Sequence, residues 1–379
     1  MKVGLVVLGG VARRPEDGWI PCLHWLIERL ASRHDVHVFS VYGAPRPDHY
    51  AFLGAMVHHA GARPAALRTA TAIMAEHRRA RFDVLHAFWV VPPGVIARVT
   101  SALIGCPVLL HVSGGELASV PDIRYGGLRT WAGRLWTRIG LSGASRITAA
   151  SAPLIDQLGA MGYAAERVPL GVDLTSWPVV APRPRRSGPA RLVHVASLNP
   201  VKDQVTLLEA VRLLAGKGVD FVLDIAGVDT LGGTIQALAQ RTGIGDRVRF
   251  HGVLDRVRLH ALMADASILL VSSRHEAGPL VVLEAALVGV PTVGTAVGHV
   301  AEWAPDAAVA VPVRDPEALA RETFRLLQDD ARRVALGTEA QRRALPYDAD
   351  WTARRFEALY EELTERRVLN AARRTGPVR

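Results

Sequence analysis

Pro178-Val179-Val180-Ala181-Pro182-Arg183-Pro184-Arg185-Arg186-Ser187-Gly188-Pro189-Ala190 carries four prolines in a short stretch. None of them can donate a backbone hydrogen bond, and none suits a helix interior or a central strand. The stretch therefore reads as a linker, and the chain on either side of it repeats one pattern. Upstream, strand candidates fall at 3–8, 36–41, 84–88, 108–112 and 146–149. Helical stretches lie between them, such as 22–31, where Leu23, Leu26, Ile27 and Leu30 share one face. Downstream, strands at 192–196, 221–226, 248–250, 267–271, 292–293 and 308–311 alternate with helices at 205–214, 234–242 and 281–288. Such alternation predicts an α/β chain with parallel sheets covered by helices. The expected organisation is a Rossmann-like domain over 1–177, the linker 178–190 and a second Rossmann-like domain over 191–349. A helix over 350–365 is placed to pack across both, and 366–379 reads as a tail. Two doubly wound domains present their loops at the carboxyl ends of their strands, so the expected binding site is a cleft across which they face each other.

The composition suits this reading. At 379 residues and roughly 150 per domain, two domains are expected, and 49% hydrophobic residues supply their cores. Charged residues are 21% and mean hydropathy is +0.17, far from the signature of disordered chains. Two cysteines, Cys22 and Cys106, cannot build a disulfide framework or a zinc cluster, so a reducing compartment and no metal are expected. The short apolar run at 3–8 ends in Gly9-Gly10 with Arg13-Arg14 behind it, and so reads as an opening strand rather than a signal peptide. No stretch reaches the ~18 uninterrupted apolar residues that a membrane span needs.

The net charge is +9. Residues 1–177 hold 18 basic against 12 acidic residues and the remainder 27 against 24, so most of the excess lies in the first half. No block of basic residues is interleaved with a stacking series of aromatics, and nucleic acid is not an expected partner.

One carboxylate stands out. In Leu280-Val281-Val282-Leu283-Glu284-Ala285-Ala286-Leu287-Val288-Gly289-Val290-Pro291, Glu284 lies on a helix that is apolar on every face. Burying it unpaired is costly, so it needs a hydrogen-bonding partner. Eight positions earlier Glu276 sits in Arg274-His275-Glu276-Ala277-Gly278-Pro279-Leu280, a strand-to-loop-to-helix junction. There Gly278 permits close backbone approach, Pro279 suits a first helical turn, and the free amides beyond it form an anion site. Such a junction holds a diphosphate at the helix start while the two carboxylates accept hydrogen bonds from hydroxyls. On spacing alone, a local salt bridge for Glu284 remains the alternative. Lysine usage adds to this: only Lys2, Lys202 and Lys217 occur among 45 basic residues. A lysine kept against that bias suits a site where a compact point charge meets phosphate.

The run 275–302 resembles the Glu-x7-Glu signature of family 4 glycosyltransferases, retaining enzymes of the GT-B fold. Gly171-Val172-Asp173 resembles the family's Asn-Gly-Val-Asp segment, with Leu170 in place of Asn. Ala196-Ser197-Leu198-Asn199-Pro200-Val201-Lys202-Asp203 resembles its Gly-Arg-Leu-x-x-x-Lys-Gly loop, and Arg247-Val248-Arg249-Phe250-His251-Gly252 its base-contacting strand. The likeness runs from Lys2 to about Tyr360. It implies that Glu284 holds the ribose hydroxyls of a nucleotide sugar, that Glu276 contacts the donor sugar and that Lys202 contacts the diphosphate. It also implies that Gly278 and the amides of Leu280 and Val281 lie near phosphate and sugar, and His251 and Val253 near the base. Gly9 and Gly10 of the first domain would let backbone approach the donor phosphates. In two places the chain departs from the family: its diphosphate-binding Arg falls on Ser197, and its His-Gly-x-Asp element falls on Ser113-Gly114-Gly115-Glu116. Ser113 and Gly114 are then expected on the acceptor side and Glu116 beside the reacting groups, while His111, inside an apolar strand, reads as a core histidine.

The resemblance implies transfer of a hexosyl or related sugar from a nucleotide-sugar donor to an acceptor hydroxyl with retention of configuration. The product would be a polysaccharide, a glycolipid or a natural-product glycoside, with no cofactor and no metal. Two alternatives stay open: a nucleotide-sugar epimerase of the same fold, and a catalytically silent nucleotide-sugar-binding subunit, motivated by Ser197 and Ser113. Residues 124–139 place Arg129, Arg134 and Arg138 near Trp131 and Trp136. That pairing suits a bilayer interface, although an ordinary amphipathic helix with its tryptophans in the core has the same pattern. The expected setting is cytoplasmic, with a saccharide or lipid-linked acceptor and peripheral contact with an anionic membrane at its inner face.

Overall fold

The computed structural model describes residues 1–12, 19–43, 46–185 and 187–374, with side chains through 369. The chain forms two compact units, Met1–Leu170 with Ala349–Arg379, and Gly171–Asp348. The first contains β1 (Lys2–Val7), α1 (Pro21–Ala31), β2 (Asp35–Ser40), β3 (Asp48–Phe52), β4 (Ala55–His59), α2 (Ala65–Arg79), β5 (Val84–Phe88), α3 (Val95–Ile104), β6 (Val108–Val112), α4 (Trp131–Ser142), β7 (Arg146–Ala149), α5 (Ala152–Ala160) and β8 (Glu166–Arg167). Its eight strands are ordered β3-β4-β2-β1-β5-β6-β7-β8, and all pair in parallel except β3 with β4. Every residue of β1, β5 and β6 is buried, as a sheet covered by helices on both faces requires. The β3–β4 hairpin is absent from the sequence reading. Its turn places Leu53 at φ 50° and Gly54 at φ 82°, and a leucine in the left-handed region is a poor turn signal.

The second unit contains β9 (Ala190–Val195), α6 (Gln204–Gly216), β10 (Phe221–Ala226), α7 (Thr234–Arg241), β11 (Val248–Gly252), α8 (Arg256–Ala264), β12 (Ile268–Val271), α9 (Leu280–Leu287), β13 (Thr292–Thr295), α10 (Gly298–Trp303), β14 (Val309–Val311), α11 (Pro316–Gln328) and α12 (Asp330–Ala344). Its sheet is parallel throughout, in the order β11-β10-β9-β12-β13-β14. Leu192, Leu207, Val211, Leu223, Ile268 and Val293 anchor its core.

The units divide at Leu170 and Gly171, ahead of the proline-rich stretch. That stretch packs on the second unit: the Val180 amide donates to the Leu287 carbonyl at 3.0 Å, and Gln341 Nε2 donates to the Val180 carbonyl at 2.8 Å. The last helix, α13 (Ala349–Arg374), extends beyond the expected 365. Residues 366–374 are therefore helix rather than tail, and 375–379 lie outside the described residues. In the first unit α13 contributes Ala353, Phe356, Leu359, Tyr360 and Leu363 to the core built on β1, β2 and β5. The Tyr360 hydroxyl meets His86 Nδ1 at 2.7 Å beneath it.

Candidate functional site

The second sheet reverses direction at β9: the chain proceeds from β9 to β10 and β11 on one side, then crosses to β12 on the other. Ligands of open α/β sheets bind at such switch points, beyond the carboxyl ends of the two diverging strands. The loops after β9 and β12 are stapled together there. The Arg274 amide donates to the Val201 carbonyl at 2.7 Å, and the Ser272 hydroxyl donates to the Lys202 carbonyl at 2.7 Å. Asn199 Oδ1 accepts the amides of Val201 and Lys202, each at 3.2 Å, and Asp203 caps α6, which together fix the backbone around Lys202. From this loop Lys202 Nζ reaches Glu276 Oε1 at 2.5 Å, and the Ser273 hydroxyl donates to the same oxygen at 2.6 Å. The side chains remain 24% and 12% exposed, so the pair is open to a ligand on one side.

Glu284 lies in the second turn of α9 and is 7% exposed. The helix packs through its backbone, Trp177 Nε1 donating to the Glu284 carbonyl at 2.9 Å. Among the described residues no protein group hydrogen-bonds the Glu284 carboxylate, so the local salt bridge left open by the sequence does not form. Burial raises its pKa from 4.5 to about 7, against the opposing pull of the Arg256 cation. A nearly buried acid poised at neutrality and lacking a partner characterises a binding or catalytic group rather than a structural one. Pro279 stands before the first turn of α9, where the amides of Leu280 and Val281 have no intrahelical acceptor.

Sequence reasoning passed over the groups that hold this junction in place. Thr295 Oγ1 donates to the Ser273 carbonyl at 2.5 Å. Gly298 has φ +49°, and a Cβ there would lie 2.7 Å from Pro279 Cδ and 3.1 Å from Glu276 Cβ. The backbone after β13 thus buttresses the Glu276 loop, and only glycine fits. The sole sequence signal was a Gly following a short strand.

On the β9 side, Ser197 offers no charge, and its carbonyl accepts from Gln204 Nε2 at 3.1 Å. The same amide group donates to His194 Nε2 at 3.2 Å, while His194 Nδ1 donates to the Leu270 carbonyl at 2.9 Å. Burial pushes His194 down to about 4, so it is neutral and acts as a strut. His251, at the end of β11, turns its Nε2 to Asp224 Oδ1 at 2.8 Å. That nitrogen is thereby tied to β10, while the part-exposed ring stays at the strand end beside the Gly252 backbone and the 71% exposed Val253.

In the first unit the switch point lies between β1 and β5. Gly9 and Gly10 follow β1. Gly10 has φ +84°, and its carbonyl accepts His24 Nε2 at 2.6 Å. Trp89 follows β5 at φ 72°, a costly conformation for a bulky residue and of the kind that clusters at functional sites. Sequence reasoning passed over it, since residue type does not encode a positive φ at a tryptophan. Glu116 Oε1 accepts the amides of Ser113 at 3.1 Å and Val90 at 3.3 Å, tying the β6 loop to the turn after Trp89. Burial raises its pKa, opposed by these amides and those of Glu116 itself and Gly114. Glu116 is 8% exposed and occupied by backbone, so its geometry is that of a clamp for the loop carrying Ser113 and Gly114. His111 is wholly buried, bonded to Thr148 Oγ1 at 2.9 Å and pushed down to about 3 by burial, a core histidine as read.

The structure therefore places Ser197 and Lys202 on the loop after β9, Glu276 and Gly278 on the loop after β12, and Leu280, Val281 and Glu284 on the first two turns of α9, with His251 and Val253 two strands from β9 at β11. Gly9, Gly10, Ser113, Gly114 and Glu116 gather at the carboxyl ends of β1 and β6 in the first unit.

Comparison with known proteins follows the same division. Residues 180–343 match the family model of glycosyl transferases group 1, and residues 17–171 that of the glycosyl transferase 4-like domain. Glycogen synthase of Mycobacterium tuberculosis (strain CDC 1551 / Oshkosh) is 32% identical over 183 residues, 48% of this chain and 44% of that protein. The chain spans about half the length of the curated relatives it first matches. Among solved structures, sucrose-phosphate synthase from Thermosynechococcus elongatus superposes with a TM-score of 0.81 at 20% identity, covering 96% of this chain and 98% of that one. Anabaena HepE, solved in complex with UDP-glucose, gives 0.74 at 16% identity, with 96% and 100% covered. At such identities the likeness is one of fold.

Proposed function

The chain belongs to the family 4 glycosyltransferases of the GT-B fold, and we propose that it transfers a sugar from a nucleotide-sugar donor to an acceptor hydroxyl with retention of configuration. The observation that carries this reading is Glu284, nearly buried and without a hydrogen-bond partner among the described residues, on the helix that follows the Lys202–Glu276 pair. In this reading Glu284 accepts the ribose hydroxyls, Lys202 and the amides of Leu280 and Val281 meet the diphosphate, and Glu276 binds the donor sugar. Gly278 leaves room for the phosphates, and Val253 with the β11 backbone flanks the base.

The chemistry asks for charge stabilisation more than acid catalysis. The anomeric carbon–oxygen bond breaks with its electron pair passing to the diphosphate, and the Lys202 cation and helix amides stabilise that charge. The acceptor oxygen bonds to the anomeric carbon on the face the diphosphate leaves, through an oxocarbenium-like state, and its proton passes to a phosphate oxygen. Neither carboxylate serves as nucleophile, and the scheme calls for no metal. Because Ser197 supplies no guanidinium, Lys202 carries a larger share of the neutralisation. Glu116 acts by holding the Ser113–Gly114 loop on the acceptor side. The acceptor is a saccharide or lipid-linked hydroxyl compound, and the lipid-linked case sets the protein at the inner face of a membrane.

The neighbour solved with UDP-glucose makes UDP and UDP-glucose the first probes. Stabilisation of the fold by a nucleoside diphosphate, with slow hydrolysis of the matching donor, is the expected result. Stabilisation without hydrolysis or transfer to any acceptor would favour a silent binding subunit, the reading to which the neutral Ser197 points. The absence of any nucleotide effect would remove both.

A further inference from the structure

Helices α3 and α4 of the first unit pack side by side and expose a mixed surface. Trp131 is 72% exposed, Trp136 49% and Leu135 46%, and α3 adds Leu103 at 67% and Val99 at 51%. The tryptophans are therefore not in the core, the place that an ordinary amphipathic helix would give them. The core-facing side of α4 is instead Thr137, Gly140 and Leu141. A Cβ on Gly140 would lie 2.7 Å from the Val90 carbonyl oxygen, so α4 seats tightly on the turn after β5 with its aromatic side outward.

Charge follows the same surface. Residues 84–155 contain six arginines and only two acids, Glu116 and Asp122, the first of them buried and bonded to backbone amides. Arg134 and Arg138 lie on α4 beside the exposed tryptophans, and no acid occurs anywhere on α3 or α4.

We infer that the exposed α3–α4 face is a docking surface for an anionic lipid bilayer. Indole rings combine an apolar body with a polar N–H and so favour the headgroup level, while arginines beside them meet lipid phosphates. No helix among the described residues is long and apolar enough to cross a membrane, so the attachment is to the surface. A basic partner would be repelled by a face whose charges are all positive, and a neutral one would leave those charges unanswered. The inference deepens the membrane side of the proposed function and rests on it for the lipid-linked acceptor. Its test reads membrane binding alone, so it fails or succeeds separately from donor binding in the second unit.

The test is co-sedimentation of the whole chain with vesicles of equimolar phosphatidylglycerol and phosphatidylcholine, against vesicles of phosphatidylcholine alone, at low and high salt. Salt-sensitive binding to the anionic vesicles only is expected. Trp131→Ala with Trp136→Ala should reduce it at least tenfold, and Arg134→Gln and Arg138→Gln about fivefold each. Val99→Asp with Leu103→Asp on α3 provides an independent pair at exposed positions, and thermal unfolding of every variant reports its folding. No sedimentation, equal binding to both vesicles, or binding unchanged in folded variants would overturn the inference. So would a concentration-dependent dimer in ultracentrifugation that the same substitutions abolish, since a second copy would then occupy the face.

Discussion

Replacing Glu284 by glutamine should remove a pH dependence from donor binding while making the protein more stable. The wild-type carboxyl is held up at about 7 by burial, and the form that accepts two ribose hydroxyls is the carboxylate. At pH 8 most of the population is ready to bind; at pH 6 about one molecule in ten is, so affinity should fall about tenfold across that interval. The probe should be a nucleotide sugar, whose diphosphate is a diester and does not titrate in this range. Titration calorimetry at both pH values gives the two constants. In Glu284→Gln the slope should vanish, with affinity at pH 8 reduced by roughly 2–3 kcal/mol, the worth of a hydrogen bond to a charged group. Stability moves the other way. A carboxyl whose folded value lies above its ordinary 4.5 costs nothing below that pH and its full amount above about 7, which corresponds to about 3 kcal/mol. The glutamine variant should therefore show a higher urea midpoint than wild type at pH 8 and a much smaller advantage at pH 5. A wild-type affinity that rises on acidification, or a slope that survives in the glutamine variant, would refute the reasoning.

Lys202→Ala should lower kcat about a hundredfold at saturating donor, with a smaller change in donor Kd, because the lost cation acts most strongly on the departing diphosphate. A kcat within twofold of wild type would count against this role. Gly298→Ala forces a Cβ to 2.7 Å from Pro279 at φ +49°; expected are a lower Tm, by roughly 1–3 kcal/mol of stability, and a loss of activity from displacement of the Glu276 loop. His194 and His111 are neutral in the fold, pushed down to about 4 and about 3 by burial. Their contribution is fully present above the ordinary 6.5 and drains away as pH falls toward those values; read in the Glu284→Gln background, which removes that carboxyl's opposing gain, unfolding free energies from urea titration should drop between pH 7.5 and 5 by about 2 kcal/mol for each. A flat profile would show that neither titrates as described.

The strands at 84–88, 108–112, 146–149 and 221–226 were legible to the residue because buried parallel strands are continuous apolar runs bounded by polar turns. The oddity of Glu284 was equally legible, since a lone acid in an apolar helix is expensive wherever the helix packs. Sequence could not reveal whether a protein group would answer that acid, because partners come from distant positions; His251 shows the converse, one nitrogen of its ring claimed by Asp224 of the neighbouring strand. Trp89 and Gly298 were invisible for another reason. Their importance lies in backbone angles and close approaches, φ 72° in one case and a buttress against Glu276 in the other, and residue type alone does not encode these. The fate of Trp131 and Trp136 was likewise undecided, because helical spacing does not say which face meets the sheet.

The most direct test of Glu284 as the ribose-gripping group is the affinity of UDP against its 2′,3′-dideoxy counterpart, in wild type and in Glu284→Gln. Wild type should prefer the ribonucleotide at least tenfold, as charge-assisted hydrogen bonds to two hydroxyls require, and the variant should bind the two nearly alike. Equal binding of both nucleotides by the wild-type protein would contradict the account.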